Sequence, residues 1–230
     1  MSLKAMLQAR KAVVAHNKGD LETARTLYEE ALTAGVQDPS IMLSYSVLLI
    51  RGGEYEKAKG LLAKASKGKG MKPDVKQNIY VNYAVCCYKL GNLDKALEYL
   101  AYQHTHLPTS LVYQTSGYLL IEKGDYDKAL EYNLLALDYD DEDPIVLDNL
   151  GQTYYRLGND KETAKGYFEK ALKLRDSQID TLYFLSRYDI DNGDKAAAIE
   201  KLEKALDGRF SPLNYRNKEQ LTQELAELKK

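Results

Sequence analysis

Residues 124–136 read Gly-Asp-Tyr-Asp-Lys-Ala-Leu-Glu-Tyr-Asn-Leu-Leu-Ala, and this stretch carries the pattern of the whole chain. A helix-breaking glycine is followed by an acidic residue, an alanine stands five positions after the glycine, and a second alanine follows seven later. The glycine with its acidic or amide neighbour recurs at Gly19-Asp20, Gly53-Glu54, Gly91-Asn92, Gly124-Asp125, Gly158-Asn159 and Gly193-Asp194, at intervals of 34, 38, 33, 34 and 35 residues. Ala24, Ala58, Ala96, Ala129, Ala164 and Ala198 form the first alanine column, and Ala31, Ala65, Ala136, Ala171 and Ala205 the second, which Gln103 alone interrupts. In the fifth unit the first alanine comes six positions after the glycine. Self-similarity at such a period marks a repeat architecture.

Apolar residues on both sides of each glycine follow the spacing of one helical face, so each unit reads as two antiparallel helices. The glycine ends the first helix where a positive φ is needed. The alanines let the second helix approach its neighbours closely. In the fifth unit, Leu147, Leu150, Gly151 and Tyr154 line the first helix and face Ala164, Phe168 and Ala171.

These residues resemble the tetratricopeptide repeat family, whose period and pattern of small and bulky residues they share. The resemblance covers nearly the whole chain. It implies an all-α, right-handed α-solenoid forming one domain over residues 1–230, with six repeats at 5–38, 39–72, 77–109, 110–143, 144–178 and 179–212 and a capping helix at 213–230. There is no Trp; Met42, Tyr80, Tyr113, Leu147 and Leu182 stand where the family often places one. Pro73 to Lys76 are extra and read as a longer loop, and the additional residue between Gly158 and Ala164 as a lengthened or bulged turn. Ser211-Pro212 reads as the start of the capping helix, with Leu213, Leu221, Leu225 and Leu228 as its apolar stripe. Asp38-Pro39 and Asp143-Pro144 read as start signals of first helices.

The resemblance also implies a groove lined by the first helices, where family members bind an extended peptide or a helix of a partner. Carried over residue by residue, its groove positions are Met6, Ala9, Val13, His16 and Asn17; Ser40, Leu43, Val47, Ile50 and Arg51; Asn78, Val81, Val85, Tyr88 and Lys89. The later repeats add Leu111, Gln114, Tyr118, Ile121 and Glu122; Ile145, Asp148, Gln152, Tyr155 and Arg156; Asp180, Tyr183, Arg187, Ile190 and Asp191. Leu43, Val47, Ile50, Val81, Val85, Tyr88, Tyr118 and Ile121 suggest an apolar ligand surface, with Tyr155 and Tyr183 as further rings of the kind enriched in binding hot spots. The alternative for the same side chains is packing against adjacent helices. Arg51, Lys89, Glu122, Arg156 and Arg187 are expected to set register through charge. The family's carboxylate clamp is missing, since Ala9 and Val13 stand where Lys and Asn are needed, and Ser44 and Asn82 do not complete the set.

The remaining features exclude more than they assign. A composition of 44% apolar and 29% charged residues is that of a globular chain. The strongest apolar stretch, Ile41 to Ile50, falls short of the roughly 18 residues of a membrane span. Met1-Ser2-Leu3-Lys4 has no apolar run with a cleavage site, so no signal peptide is expected. Cytoplasmic residence is favoured, with membrane tethering if a segment before Leu3 has been removed. Basic against acidic side chains number 15 to 10 in residues 1–115 and 17 to 24 in residues 116–230, a polarity that can orient a partner or a second copy but is too modest for nucleic acid.

Cys86 and Cys87 are adjacent and read as reduced core residues. His104 and His106 lack a third ligand and read as a surface turn. The run Lys57, Lys59, Lys64, Lys67, Lys69, Lys72 and Lys76 reads as a solvated edge. Asp138, Asp140, Asp141, Glu142 and Asp143 lack the glycine and terminal Glu of a calcium loop and suggest a cationic partner. No cofactor, metal site or catalytic constellation is expected. The expected function is therefore a non-catalytic scaffold whose partner is a protein or peptide, with self-assembly or a membrane-complex adaptor as the alternative.

Overall fold

The structure, a computed structural model, describes residues 3–230. Met1 and Ser2, part of the start read for a signal peptide, lie outside the described residues. The chain forms two compact units, one up to Leu107 and one from Pro108. Among the described residues every regular element is helical.

The first unit is three packed helical hairpins: α1 (Leu3–Asn17) with α2 (Leu21–Thr33), α3 (Pro39–Arg51) with α4 (Tyr55–Ala65), and α5 (Pro73–Lys89) with α6 (Leu93–His106). The second repeats the plan with α7 (Ser110–Lys123) and α8 (Tyr126–Tyr139), α9 (Pro144–Gln152) and α10 (Lys161–Leu174), and α11 (Ile179–Asp191) and α12 (Lys195–Leu206), followed by α13 (Lys218–Leu228).

Backbone chemistry sets the turns. At the first, Gly19 takes φ +82°, its N–H donates to His16 O and that of Asp20 to Ala15 O, the pair of bonds that ties off orphan carbonyls at a helix end. Asp20 then caps the next helix by accepting from the Thr23 N–H. All eleven column alanines are 1% exposed or less, so the second helices lie close on their neighbours. Midway between them, Tyr28, Leu62, Leu100, Phe168 and Leu202 fill the core; in α8 the place is taken by Asn133, which donates to Ala129 O and Thr153 Oγ1.

Asp143 shows how the start signals work. Its carboxylate accepts from the N–H groups of Ile145 and Val146, and from the Gln114 amide of α7. Pro144 occupies the first helical turn, where no donor is missed. Asp143→Ala is expected to cost about 1–2 kcal/mol in a urea titration; a loss below a few tenths would mean that water replaces the cap without penalty.

Three expectations change. Pro73 to Lys76 are not loop: Pro73 opens α5, and the extra residues lengthen that helix by a turn. The extra residue of the fifth unit lies inside the helix rather than in the turn, because α9 continues into a π-helical turn over Thr153–Leu157. Gly158, at φ −82°, is therefore not the left-handed residue; Asn159 is, at φ +51°, and Ala164 is again five positions after it. Gly158 is needed for closeness instead, since a Cβ there would sit 2.7 Å from the Tyr126 ring. Finally, Ser211-Pro212 does not start the last helix. Ser211 Oγ accepts from Leu213 N–H in an irregular turn, and α13 begins after Asn217, which forms a reciprocal cap with Gln220. Leu221 and Leu225 are buried in the same cluster as Phe184 and Leu202, with Leu228 packed against it.

Candidate functional site

In the first unit the groove-position residues divide into core and surface. Ile50, Val81 and Val85 are buried, Leu43, Val47 and Tyr88 half-buried, and Arg51 exposed. Lys89 lies over the Tyr88 ring, 5.0 Å from its centroid.

In the second unit Tyr118, Ile121 and Tyr183 are buried. Tyr155 packs on Phe184 at 5.1 Å and on Phe168 at 6.4 Å. The π-helical turn accounts for this: counted back from Asn159, Tyr155 falls in the column of Leu49 and Cys87, both fully buried. Three of the charges expected to face a partner bond within the chain. Arg156 pairs with Glu122 at 2.7 Å and also donates to Gln152, and Arg187 pairs with Glu224 at 3.3 Å.

Between α7, α9, α11 and the loop after α12 lies a cleft of about 350 Å³. Leu111, Gln114, Tyr118, Ile145, Asp148, Gln152 and Asp180, all at groove positions, line it, with Arg175 and Arg209 also contributing. Its polar lining includes two carboxylates that are almost wholly buried, Asp148 at 3% and Asp180 at 8% exposure. Asp148 accepts from Thr181 Oγ1 at 2.6 Å and Gln152 Nε2 at 2.7 Å. Asp180 accepts from the Tyr215 N–H at 3.1 Å. Among the described residues neither forms an ion pair. Burial pushes Asp148 up to about 6, against the pull of its hydrogen bonds. Asp180 is raised well above the usual carboxylate range, first by burial and then by the charge of Asp148. The sequence signal for this polar lining was the groove register itself, not the apolar residues selected from it.

The other chemistry-bearing residues serve the fold. Cys86 and Cys87 are buried, and burial pushes Cys86 up to about 12 and raises Cys87, so neither is an activated thiolate. His104 and His106 are not in a turn but in the last turn of α6, where His106 bonds to Tyr102 O and stacks on the Tyr102 ring. Lys57 pairs with Glu29 and Glu54, and Lys59 with Glu56. In the acidic run, Asp143 is the buried cap already described and Asp140 accepts from Glu142 N–H. Among the described residues no three His, Cys, Asp or Glu side chains converge as a metal site, and no helix is long and apolar enough to cross a membrane.

Known proteins share this geometry. A family model described as anaphase-promoting complex, cyclosome, subunit 3 matches residues 17–103, and a tetratricopeptide repeat model matches residues 115–179. Intraflagellar transport protein 70A2 of Mus musculus is 31% identical over 98 residues, which are 40% of this chain and 14% of that protein. The chain thus spans a small part of the curated relatives it matches. A tetratricopeptide repeat protein from Parabacteroides merdae superposes with a TM-score of 0.81 at 17% identity, over 98% of this chain and 84% of that one. YrrB, described as a TPR protein with an unusual peptide-binding site, superposes with a TM-score of 0.55 at 21% identity, over 77% of this chain and 90% of that one. The fold is the all-α solenoid of tetratricopeptide repeats, and residues 115–179 match the model of the tetratricopeptide repeat itself.

Proposed function

We propose that this chain binds an extended peptide or a helix of a partner protein on the faces of its first helices, and that the cleft of the second unit is the principal seat. A tetratricopeptide fold is a scaffold for protein–protein interaction. The observation that carries the reading is the convergence of seven groove-position side chains on one cleft whose buried carboxylates form no ion pair among the described residues. Hydrogen bonds and the charge of Arg156 offset their burial only in part, so both carboxyls stay raised and a cationic ligand group would favour their ionised forms. Leu111 and Ile145 offer half-buried apolar contact, and Asp148 and Asp180 offer acceptors, so a ligand segment with a basic side chain fits best. In the first unit, Leu43, Val47 and Tyr88 with Arg51 and Lys89 supply a second, shallower contact.

Selection from a random peptide library displayed on phage tests this directly. Enriched peptides should carry Lys or Arg, and should bind the Leu111→Glu/Ile145→Glu variant at least about tenfold more weakly. Equal binding to wild type and variant would remove the cleft from the function.

A further inference from the structure

Between Leu206 and Lys218 the chain runs as an irregular strap, residues 207–217, whose distal half lies on α11 and the π-helical turn that follows α9. Its contacts have the form of a bound peptide. The Tyr215 ring sits 5.1 Å from Phe184 and 5.6 Å from Tyr183, and the Arg156 guanidinium lies 4.4 Å over it. Its N–H donates to the buried Asp180 carboxylate. The next residue, Arg216, lies over the Tyr183 ring at 5.5 Å, donates Nε–H to the Tyr183 hydroxyl at 3.3 Å, and pairs with Glu224 at 2.9 Å. An aromatic anchor, a guanidinium on aromatic and acidic partners, and a backbone donor on a buried carboxylate are the three elements of peptide capture.

We propose that Leu213–Arg216 is a built-in occupant of this face, and that the face is a receptor for an extended segment bearing an aromatic residue followed by arginine. A partner binds by displacing the strap with the same two side chains. This rests on the reading of the first-helix faces as a ligand surface, and it adds the chemistry of the ligand and a competitor held in cis. The strap is suited to leave. Tyr215 and Arg216 are half-buried rather than buried, and neither belongs to a helix. Leu221 and Leu225, both buried, hold α13 in the core by their own side chains, alongside the Arg216–Glu224 pair. The residues between the two helices can span roughly 36 Å when extended, enough to lift from the face with both ends seated. A tethered occupant of this kind acts as a ligand at millimolar effective concentration, so it suppresses weak binders and passes tight ones.

The test uses a fluorescein-labelled peptide with the sequence of residues 210–218, Phe-Ser-Pro-Leu-Asn-Tyr-Arg-Asn-Lys, titrated by anisotropy with the full chain. Full-length Tyr215→Ser/Arg216→Ser should bind it at least about tenfold more tightly than wild type, and a peptide with Ser at both places should bind neither. If the double variant, shown to be helical and monodisperse, binds the peptide no more tightly than wild type, the strap is a structural cap and the proposal fails. Should the double variant melt, Arg216→Ser alone leaves the Tyr215 ring packed and should still gain about threefold; no gain is again a failure. The Leu111→Glu/Ile145→Glu result separates the two ideas: library peptides lost in that variant, with no strap effect, overturn this inference and leave the ligand surface standing.

Discussion

Phe168→Ala should be the most damaging single substitution in the second unit, costing about 3–5 kcal/mol in a urea titration and lowering Tm by on the order of 10 °C. Phe168 is wholly buried and stacks on Phe184 at 5.0 Å with the rings within 5° of parallel. Ala164 and Ala171 flank it on its own helix, and both are fully buried. Across from it stands Gly151, where a Cβ would come within 2.5 Å of the ring. Small residues on three sides have been traded for one large ring, so truncation leaves a void that no neighbour is long enough to fill. The converse change, Gly151→Ala, overpacks the same spot and should cost about 1–3 kcal/mol. A loss below about 1 kcal/mol for Phe168→Ala would show that the hairpin closes over the gap, and that the alanine columns do not fix the spacing.

The second large effect is one of pH. Burial beside Asp180 pushes Asp148 up to about 6 from an ordinary aspartate value of 3.8, so between those values the folded state holds a proton that the unfolded state has released. The contribution of this carboxyl to stability is fully present below pH 4 and is lost as pH rises through 6. The change is about 2–3 kcal/mol. Glu29 and Glu54 work in the opposite direction, their carboxyls lowered chiefly by hydrogen bonds from Tyr45 and Arg25 respectively, so the net profile of the wild type mixes both signs. Asp148→Asn removes this titration together with the charge that helps to raise Asp180, and both changes act in the same direction. The variant loses a hydrogen bond only where the wild-type carboxyl is ionised, because an amide, like a protonated carboxyl, cannot accept from both Thr181 and Gln152 on its two ends. Relative to wild type it should nevertheless gain steadily between pH 4 and 7. Parallel stability curves across that range would mean that the carboxyl is ionised in a site polar enough to hold it.

The hairpins were legible because the turn glycines answer to a steric rule that acts locally. Gly19, Gly53, Gly91, Gly124 and Gly193 all take positive φ, and no distant contact is needed to see why. Gly158 was not legible in the same way. One extra residue can enter a helix or its turn with the same sequence count, and the close approach of Gly158 to Tyr126 involves a residue more than thirty positions away. A period of 3.6 also cannot tell a core face from a ligand face. Ile50, Val81, Tyr118 and Ile121 fit the stripe of a groove, yet each is 5% exposed or less. Groove register located Asp148, Gln152 and Asp180, but the hydrogen bonds that reach the two carboxylates from Thr181 and from Tyr215 of the returning strap come from residues more than thirty positions away, which no local pattern announces. The strap itself has no periodicity, and its Tyr-Arg pair stands out only beside Phe184 and Asp180.

The π-helical turn at Thr153–Leu157 also bears on how such chains can be recombined. It absorbs a one-residue insertion within a helix and leaves the downstream count unaltered, so the second helix of that hairpin starts in register from Asn159. The natural joint between modules is thus set by the left-handed residue and not by the glycine. A chimera that exchanges hairpins should be cut at Gly53 or Gly124 in their units but at Asn159 in this one, since a cut at Gly158 would splice the downstream module one residue out of phase.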